Sequence, residues 1–173
     1  MPDAPPRDPA QDVTAASGFP GVVAPMVTPF TDDGALALER VAGIVEFLLD
    51  NRIAGLVVAG TTGEGYALDM AERRELAVEV QRGVAGRVPV LLGVGATATR
   101  EALAQAALAA ELGADGLMVA APAYVLPTQK ELGEHVRAVL ATAPLPTVLY
   151  DYPDRTGVKF EERALDLLAD DPL

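Results

Sequence analysis

The stretch Gly60-Thr61-Thr62-Gly63-Glu64 follows directly on the apolar run Gly55-Leu56-Val57-Val58-Ala59 and precedes a helical pattern. A strand end followed by two glycines and two hydroxyls exposes a row of backbone N–H groups. Such a row can hold a carboxylate or a phosphate with little steric hindrance from side chains. A Gly/Thr turn that merely reverses the chain has the same composition, so the motif alone leaves both readings open. Gly63 and Gly65 fit positions where a Cβ would crowd the backbone. His135 lies in a helical stretch away from any strand end and reads as a packing or solvent-edge residue rather than a ligand. The pairs Asp32-Asp33 and Asp170-Asp171 have no His or third carboxylate positioned with them, so they read as solvated turns rather than a metal site. The chain has no cysteine, which removes disulfides, thiolate metal sites and cysteine nucleophiles from consideration. No metal and no cofactor is expected.

The turn needs elements to position it, and from Phe19 onward short apolar runs alternate with amphipathic stretches. Val22 to Val27, Gly55 to Val58, Val90 to Gly93, Gly116 to Val119 and Thr147 to Tyr150 are compact and aliphatic, as strands buried on both faces should be. Between them Leu38, Val41, Ile44, Val45 and Leu48 recur at helical spacing, as do Leu76, Val80 and Val84, and then Leu103, Ala106, Ala107 and Ala110. His135, Val136, Val139 and Leu140 mark a fourth helix, and Leu165 and Leu168 a fifth. Strict alternation of strand and helix implies a parallel sheet with right-handed crossovers. Five such units fit a flavodoxin-like doubly wound domain or the first five units of a (β/α)8 barrel. Length favours the former, because a whole barrel takes ~250 residues. A doubly wound domain, however, calls for a phosphate loop or acidic cluster at the first strand end, and Val27-Thr28-Pro29-Phe30 offers neither.

Composition narrows the function classes. With 173 residues and 50% hydrophobic content, one sizeable core and a single domain are expected. The net charge of -12, from 25 acidic and 13 basic residues, argues against nucleic-acid or anionic-membrane partners, which require a basic face. Residues 1–18 are rich in Pro, Ala and Asp and read as a disordered leader. No apolar run approaches the ~20 residues that span a bilayer, and a soluble, cytoplasmic protein is expected.

Further motifs stand at strand ends in a fixed order. Ala24-Pro25-Met26-Val27-Thr28-Pro29-Phe30 is followed by Asp33-Gly34, then by the Gly60–Glu64 turn, then by Tyr124 after the fourth strand, and Tyr150-Asp151-Tyr152-Pro153-Asp154-Arg155-Thr156-Gly157 closes the fifth. This succession resembles the dihydrodipicolinate synthase and N-acetylneuraminate lyase superfamily of class I aldolases, over roughly Phe19 to Leu173. The resemblance implies an α/β fold, a partial (β/α)8 TIM barrel of about the first five βα units, with residues 19–173 as its N-terminal part. It implies that the backbone amides of Thr61 and Thr62 hold the carboxylate of pyruvate or another 2-oxo acid, with Thr61 also serving as a relay hydroxyl. Tyr150 resembles the tyrosine that passes protons at the substrate carbonyl, and Tyr124 takes the relay's third place, towards solvent. Arg155 resembles the arginine that binds the carboxylate of a second substrate.

Departures from the family pattern are also legible. Ala123 stands where an aromatic commonly precedes the Tyr124 position, Val125-Leu126 replaces polar residues after it, and Tyr152 replaces a small aliphatic residue, which narrows the pocket expected near Arg155. A class I aldolase needs a lysine amine that forms a Schiff base with the 2-oxo carbon, and in the family it lies at the end of the sixth strand. The only lysines of this chain are Lys130 and Lys159, and neither has that position, so no Schiff-base lysine is assigned. The expected activity is a Schiff-base-forming carbon–carbon lyase or synthase, inactive as this chain alone. The alternative is a non-catalytic 2-oxo-acid-binding or structural barrel fragment. The expected partners are a 2-oxo acid such as pyruvate and either a homo-oligomer or a complementary barrel half.

Overall fold

The structure, a computed structural model, describes residues 21–169. The leader expected over residues 1–18 and the pair Asp170-Asp171 lie outside the described residues. Five strands, β1 (Val23–Pro25), β2 (Gly55–Val58), β3 (Val90–Val94), β4 (Gly116–Ala120) and β5 (Thr147–Tyr150), alternate with helices. The helices are α1 (Val41–Asp50), α2 (Met70–Val84), α3 (Thr99–Glu111), α4 (Gln129–Thr142), the single turn α5 (Pro153–Thr156) and α6 (Glu162–Ala169). A 3-10 turn, Leu38–Arg40, leads into α1.

All neighbouring strands pair in parallel, in the order β1-β2-β3-β4-β5. That order settles the architecture. A doubly wound sheet reverses its strand order at a switch point, whereas here each crossover steps to the next strand in the same direction and the sheet curls into half of a (β/α)8 barrel. The first strand is shorter than the predicted Val22 to Val27. Pro25 brings no N–H to the ladder, and one further bond, Met26 N–H to the Val57 carbonyl at 2.9 Å, carries the pairing past it. The segment expected to hold one fifth helix holds two, because Pro153 starts a single turn that Gly157 ends in a left-handed conformation at φ 76°.

Side chains alternate across the strands as a period of two requires. Leu56 and Val58, Val90, Leu92 and Val94, and Leu117 and Val119 pack into the core beneath the helices, with Val41 and Val45 of α1, Leu76 and Val80 of α2 and Val136 and Val139 of α4. The intervening residues Val57, Leu91, Gly93, Met118 and Val148 face the concave side. Val57 and Leu91 are buried there, but Val148 of the edge strand is 41% exposed.

His135 lies on the inner face of α4, buried, with Nδ1 2.9 Å from the Thr99 hydroxyl at the start of α3. It is thus the packing residue expected, and burial lowers its pKa. A histidine whose folded pKa is depressed favours folding when neutral. Its contribution is complete above the unfolded value of about 6.5 and is lost as pH falls towards the folded value. Stability of the chain is therefore expected to decline below about pH 6.5 with a slope from this group no steeper than about 1.4 kcal/mol per pH unit. Denaturant titrations from pH 8 to pH 5 on the chain and on His135→Gln check it, the variant losing that part of the slope.

Candidate active site

The C-terminal ends of the strands converge on an open cavity of about 880 Å³. Its wall is built by the segments that follow β2, β3, β4 and β5. Thr61 comes from the first, Gly95 and Thr97 from the second, Ala123 from the third, and Tyr150 and Arg155 from the last.

The turn after β2 is closed by its own backbone. Gly65 N–H donates to the Gly60 carbonyl at 3.0 Å and Glu64 N–H to the Thr61 carbonyl at 3.2 Å. The amides of Thr61 and Thr62 donate to no acceptor among the described residues, and both residues are exposed. Ala59 (φ 54°) and Glu64 (φ 50°) flank the turn in the left-handed region, a conformation that L-residues occupy at a cost and that clusters at functional sites. The expectation for the two glycines holds. A Cβ on Gly65 would stand 1.9 Å from the Ala59 carbonyl oxygen, and one on Gly63 2.8 Å from that of Met26. A residue that sequence reasoning passed over fixes the turn from the other side: the buried Thr28 hydroxyl, after β1, donates to the Gly63 carbonyl at 2.6 Å.

Tyr150 ends β5, half-buried, and its hydroxyl makes no hydrogen bond with another described residue. Its ring lies 5.6 Å from that of Tyr152 at an interplanar angle of 57°. Arg155 forms no ion pair among the described residues and instead rests its guanidinium carbon 5.9 Å above the Tyr152 ring. Tyr152 does not line the cavity. Its ring touches two residues that do, Tyr150 and Arg155.

Two of the predicted site residues stand outside the cavity. Thr62 does not line it, whereas Gly60, Thr61 and Gly65 do. Tyr124 is 89% exposed, with φ 74°, in a loop where Leu126 also takes positive φ (48°) and is 62% exposed. The structure therefore brings together Thr61, Tyr150 and Arg155 and leaves Tyr124 at the rim. The two lysines are elsewhere. Lys130, at the start of α4, lies 3.7 Å from Glu134, and Lys159 is exposed, with its carbonyl accepting from Gln129 Nε2 at 2.9 Å.

Two further groups on the cavity wall were not anticipated. Gln105 of α3 holds the loop after β3 with both ends of its amide, accepting from Gly95 N–H at 2.9 Å and donating to the Gly95 carbonyl at 3.3 Å. Arg73 of α2 is 6% exposed. Its Nη1 donates to the Gly93 carbonyl at 3.0 Å and its Nη2 to the Gly65 carbonyl, and desolvation lowers its pKa. A signal for Arg73 exists in the sequence, since it falls in helical phase with Leu76, Val80 and Val84 on the buried face.

Known proteins resemble the chain in sequence and in fold. The chain is 41% identical over 152 residues to a 4-hydroxy-tetrahydrodipicolinate synthase from a Synechococcus strain, covering 88% of this chain and 50% of that protein. It is 45% identical over 137 residues to one from Xanthomonas axonopodis pv. citri, covering 79% and 45%. The solved structure of the Acinetobacter baumannii dihydrodipicolinate synthase complexed with pyruvate superposes with a TM-score of 0.85 at 34% identity, over 89% of this chain and 53% of that one. The Aquifex aeolicus dihydrodipicolinate synthase gives 0.83 at 35%, over 88% and 52%. This chain thus spans about half the length of the relatives it matches. The family model for the dihydrodipicolinate synthetase family matches residues 18–172, and with the half-barrel and its strand-end motifs in place the chain belongs to that family.

Proposed function

We propose that this chain carries the 2-oxo-acid site of a Schiff-base-forming carbon–carbon lyase or synthase that acts on pyruvate or a related 2-oxo acid. The observation that carries this reading is the sharing of one cavity by Thr61, Tyr150 and Arg155, with the Thr61 and Thr62 amides in the adjoining turn donating to no acceptor among the described residues. In this reading the two amides bind the carboxylate, paired N–H donors suiting a planar anion. The Thr61 and Tyr150 hydroxyls move protons at the carbonyl, each able to donate and accept in turn. Tyr124 serves as the solvent-side member of that relay from the rim. Arg155, with its guanidinium over the Tyr152 ring and in no ion pair among the described residues, binds the carboxylate of a second substrate, for which a planar fork of donors is suited. The pyruvate bound in the Acinetobacter baumannii relative supports the choice of ligand.

The chemistry also requires an amine that forms the imine, and neither Lys130 nor Lys159 lines the cavity. The chain alone is thus proposed to bind a 2-oxo acid without turning it over. The cytoplasmic location expected from the sequence belongs to the same reading.

Crystals of the chain soaked in pyruvate, or in acetate as a minimal carboxylate, test the site. The expected result is a carboxylate against the amides of Thr61 and Thr62. A well-ordered turn left empty at high anion concentration overturns the assignment.

A further inference from the structure

Three backbone segments meet at one point behind the turn. The Ala59 carbonyl, at the end of β2, is pressed between Gly65 and Gly93, where a Cβ would come within 1.9 Å and 2.4 Å of its oxygen. The guanidinium of Arg73 spans the same two residues, donating to the carbonyls of Gly65 and Gly93. No carboxylate lies within ion-pair distance of it among the described residues, although other arginines of α2 are paired, Arg74 with Glu111 and Arg82 with Glu79. Burying a cation without a counter-ion is expensive. A neutral, apolar residue would fill the same helical phase at no such cost, as Leu76 and Val80 do. Arg73 also lines the cavity that holds Thr61.

We propose that Arg73 is a positioning residue for the turn. Its fork ties the exit of the turn, at Gly65, to the end of β3, and its unneutralised charge makes the turn receptive to an anion. The second half of this statement rests on the reading of the turn as a carboxylate site. The first half does not. Gly65 N–H closes the turn onto Gly60, so a hold on the Gly65 carbonyl fixes the peptide plane that follows the closing bond, and the Thr61 and Thr62 amides keep their direction before any ligand arrives. Preorganised donors of this kind add to affinity because no reorganisation is needed on binding.

The experiment uses the 173-residue chain and three variants, Arg73→Lys, Arg73→Gln and Arg73→Met, each checked by circular dichroism and thermal unfolding. Amide hydrogen exchange at Glu64 and Gly65, read by NMR without ligand, reports the hold on the turn. Amide shifts of Thr61 and Thr62 on titration with pyruvate report anion affinity. Loss of hydrogen bonds from a charged donor is expected to accelerate exchange at Glu64 and Gly65 by about tenfold or more in the Gln and Met variants, with core amides such as Val94 and Leu132 unchanged. Pyruvate affinity is expected to fall by about tenfold or more in the same two variants and to recover in part in Arg73→Lys, which restores the charge but can bridge only one of the two carbonyls. A filler of space would show no such rescue by charge. Unchanged exchange at Glu64 and Gly65 in a folded Arg73→Gln or Arg73→Met overturns the positioning role, and should both fail to fold, unchanged exchange in Arg73→Lys does so. If the unsubstituted chain shows no pyruvate shift, the carboxylate reading fails, and the exchange comparison still decides whether Arg73 holds the turn.

Discussion

Incubation of the 173-residue chain with pyruvate and borohydride is expected to leave the protein mass unchanged. Imine formation demands an amine within bonding reach of the carbonyl carbon, and in the proposed site that carbon lies in the cavity lined by Thr61 and Tyr150. Lys130 is 79% exposed and lies beside Glu134 at the start of α4. Lys159 follows α5, in the segment pinned by Phe160 N–H to Asp151 at 3.2 Å and by Glu161 N–H to Gln129 at 3.0 Å, and it is exposed. Neither lysine lines the cavity. Mass spectrometry of the reduced mixture checks the outcome, and a stoichiometric pyruvyl adduct on Lys159 would show that this chain builds its own Schiff-base site. The same assay separates the two functional readings. An adduct that appears only when the C-terminal part of a relative is added, and that sits on the added part, identifies this chain as one half of an enzyme. Continued absence of an adduct despite association leaves it a binding fragment.

The elements were legible in the sequence wherever burial on both faces left a short aliphatic run. β2 and β5 begin and end as their runs do, at Gly55–Val58 and Thr147–Tyr150, and β3 and β4 each extend one residue further. The choice between doubly wound and barrel order was not legible from periodicity, because both use the same βα unit; only the pairing order settles it. For the site, spacing identified the turn, since a strand end followed by Gly-Thr-Thr-Gly constrains the backbone locally. The groups that hold the turn from a distance carried no local mark. Thr28 reaches it across 35 residues of sequence and Arg73 bridges it to a residue 20 positions away, and a threonine after a strand or an arginine in a helix is unremarkable until the sheet places it. Tyr124 shows the converse. Its place in the motif order was clear, but it stands exposed outside the cavity in a loop with two residues of positive φ, and nothing in the sequence Ala123-Tyr124-Val125-Leu126 signals that backbone.

Assembly carries the largest expected effect on stability. β1 and β5 are the edges of the sheet among the described residues, and the two edges are unequal. β1 is only three residues long and ends in Pro25, which has no N–H to offer, so it is a poor template for another strand. β5 presents four residues with backbone groups open on one side, and Val148, on the concave face, is 41% exposed. Parallel sheets are normally covered on both faces and closed or flanked at their edges. Burial returns roughly 25 cal/mol per Å² of apolar surface, so the part of the concave face left wet beside β5 withholds stability that matters against a net of only ~5–15 kcal/mol even for complete domains. The isolated chain is therefore expected to self-associate or to unfold in a broad, weakly cooperative transition. Addition of the C-terminal part of a family member is expected to sharpen that transition and raise its midpoint, with the new strand pairing at β5. Sedimentation velocity with and without the added part, combined with thermal unfolding, measures both quantities. Val148→Asp tests the location of the contact, because a charge on the concave face beside β5 should abolish the gain while leaving the helix-covered core of Leu56, Leu92 and Leu117 in place. A monodisperse monomer with one steep transition, indifferent to the added part, would mean that the half-barrel covers its own concave face.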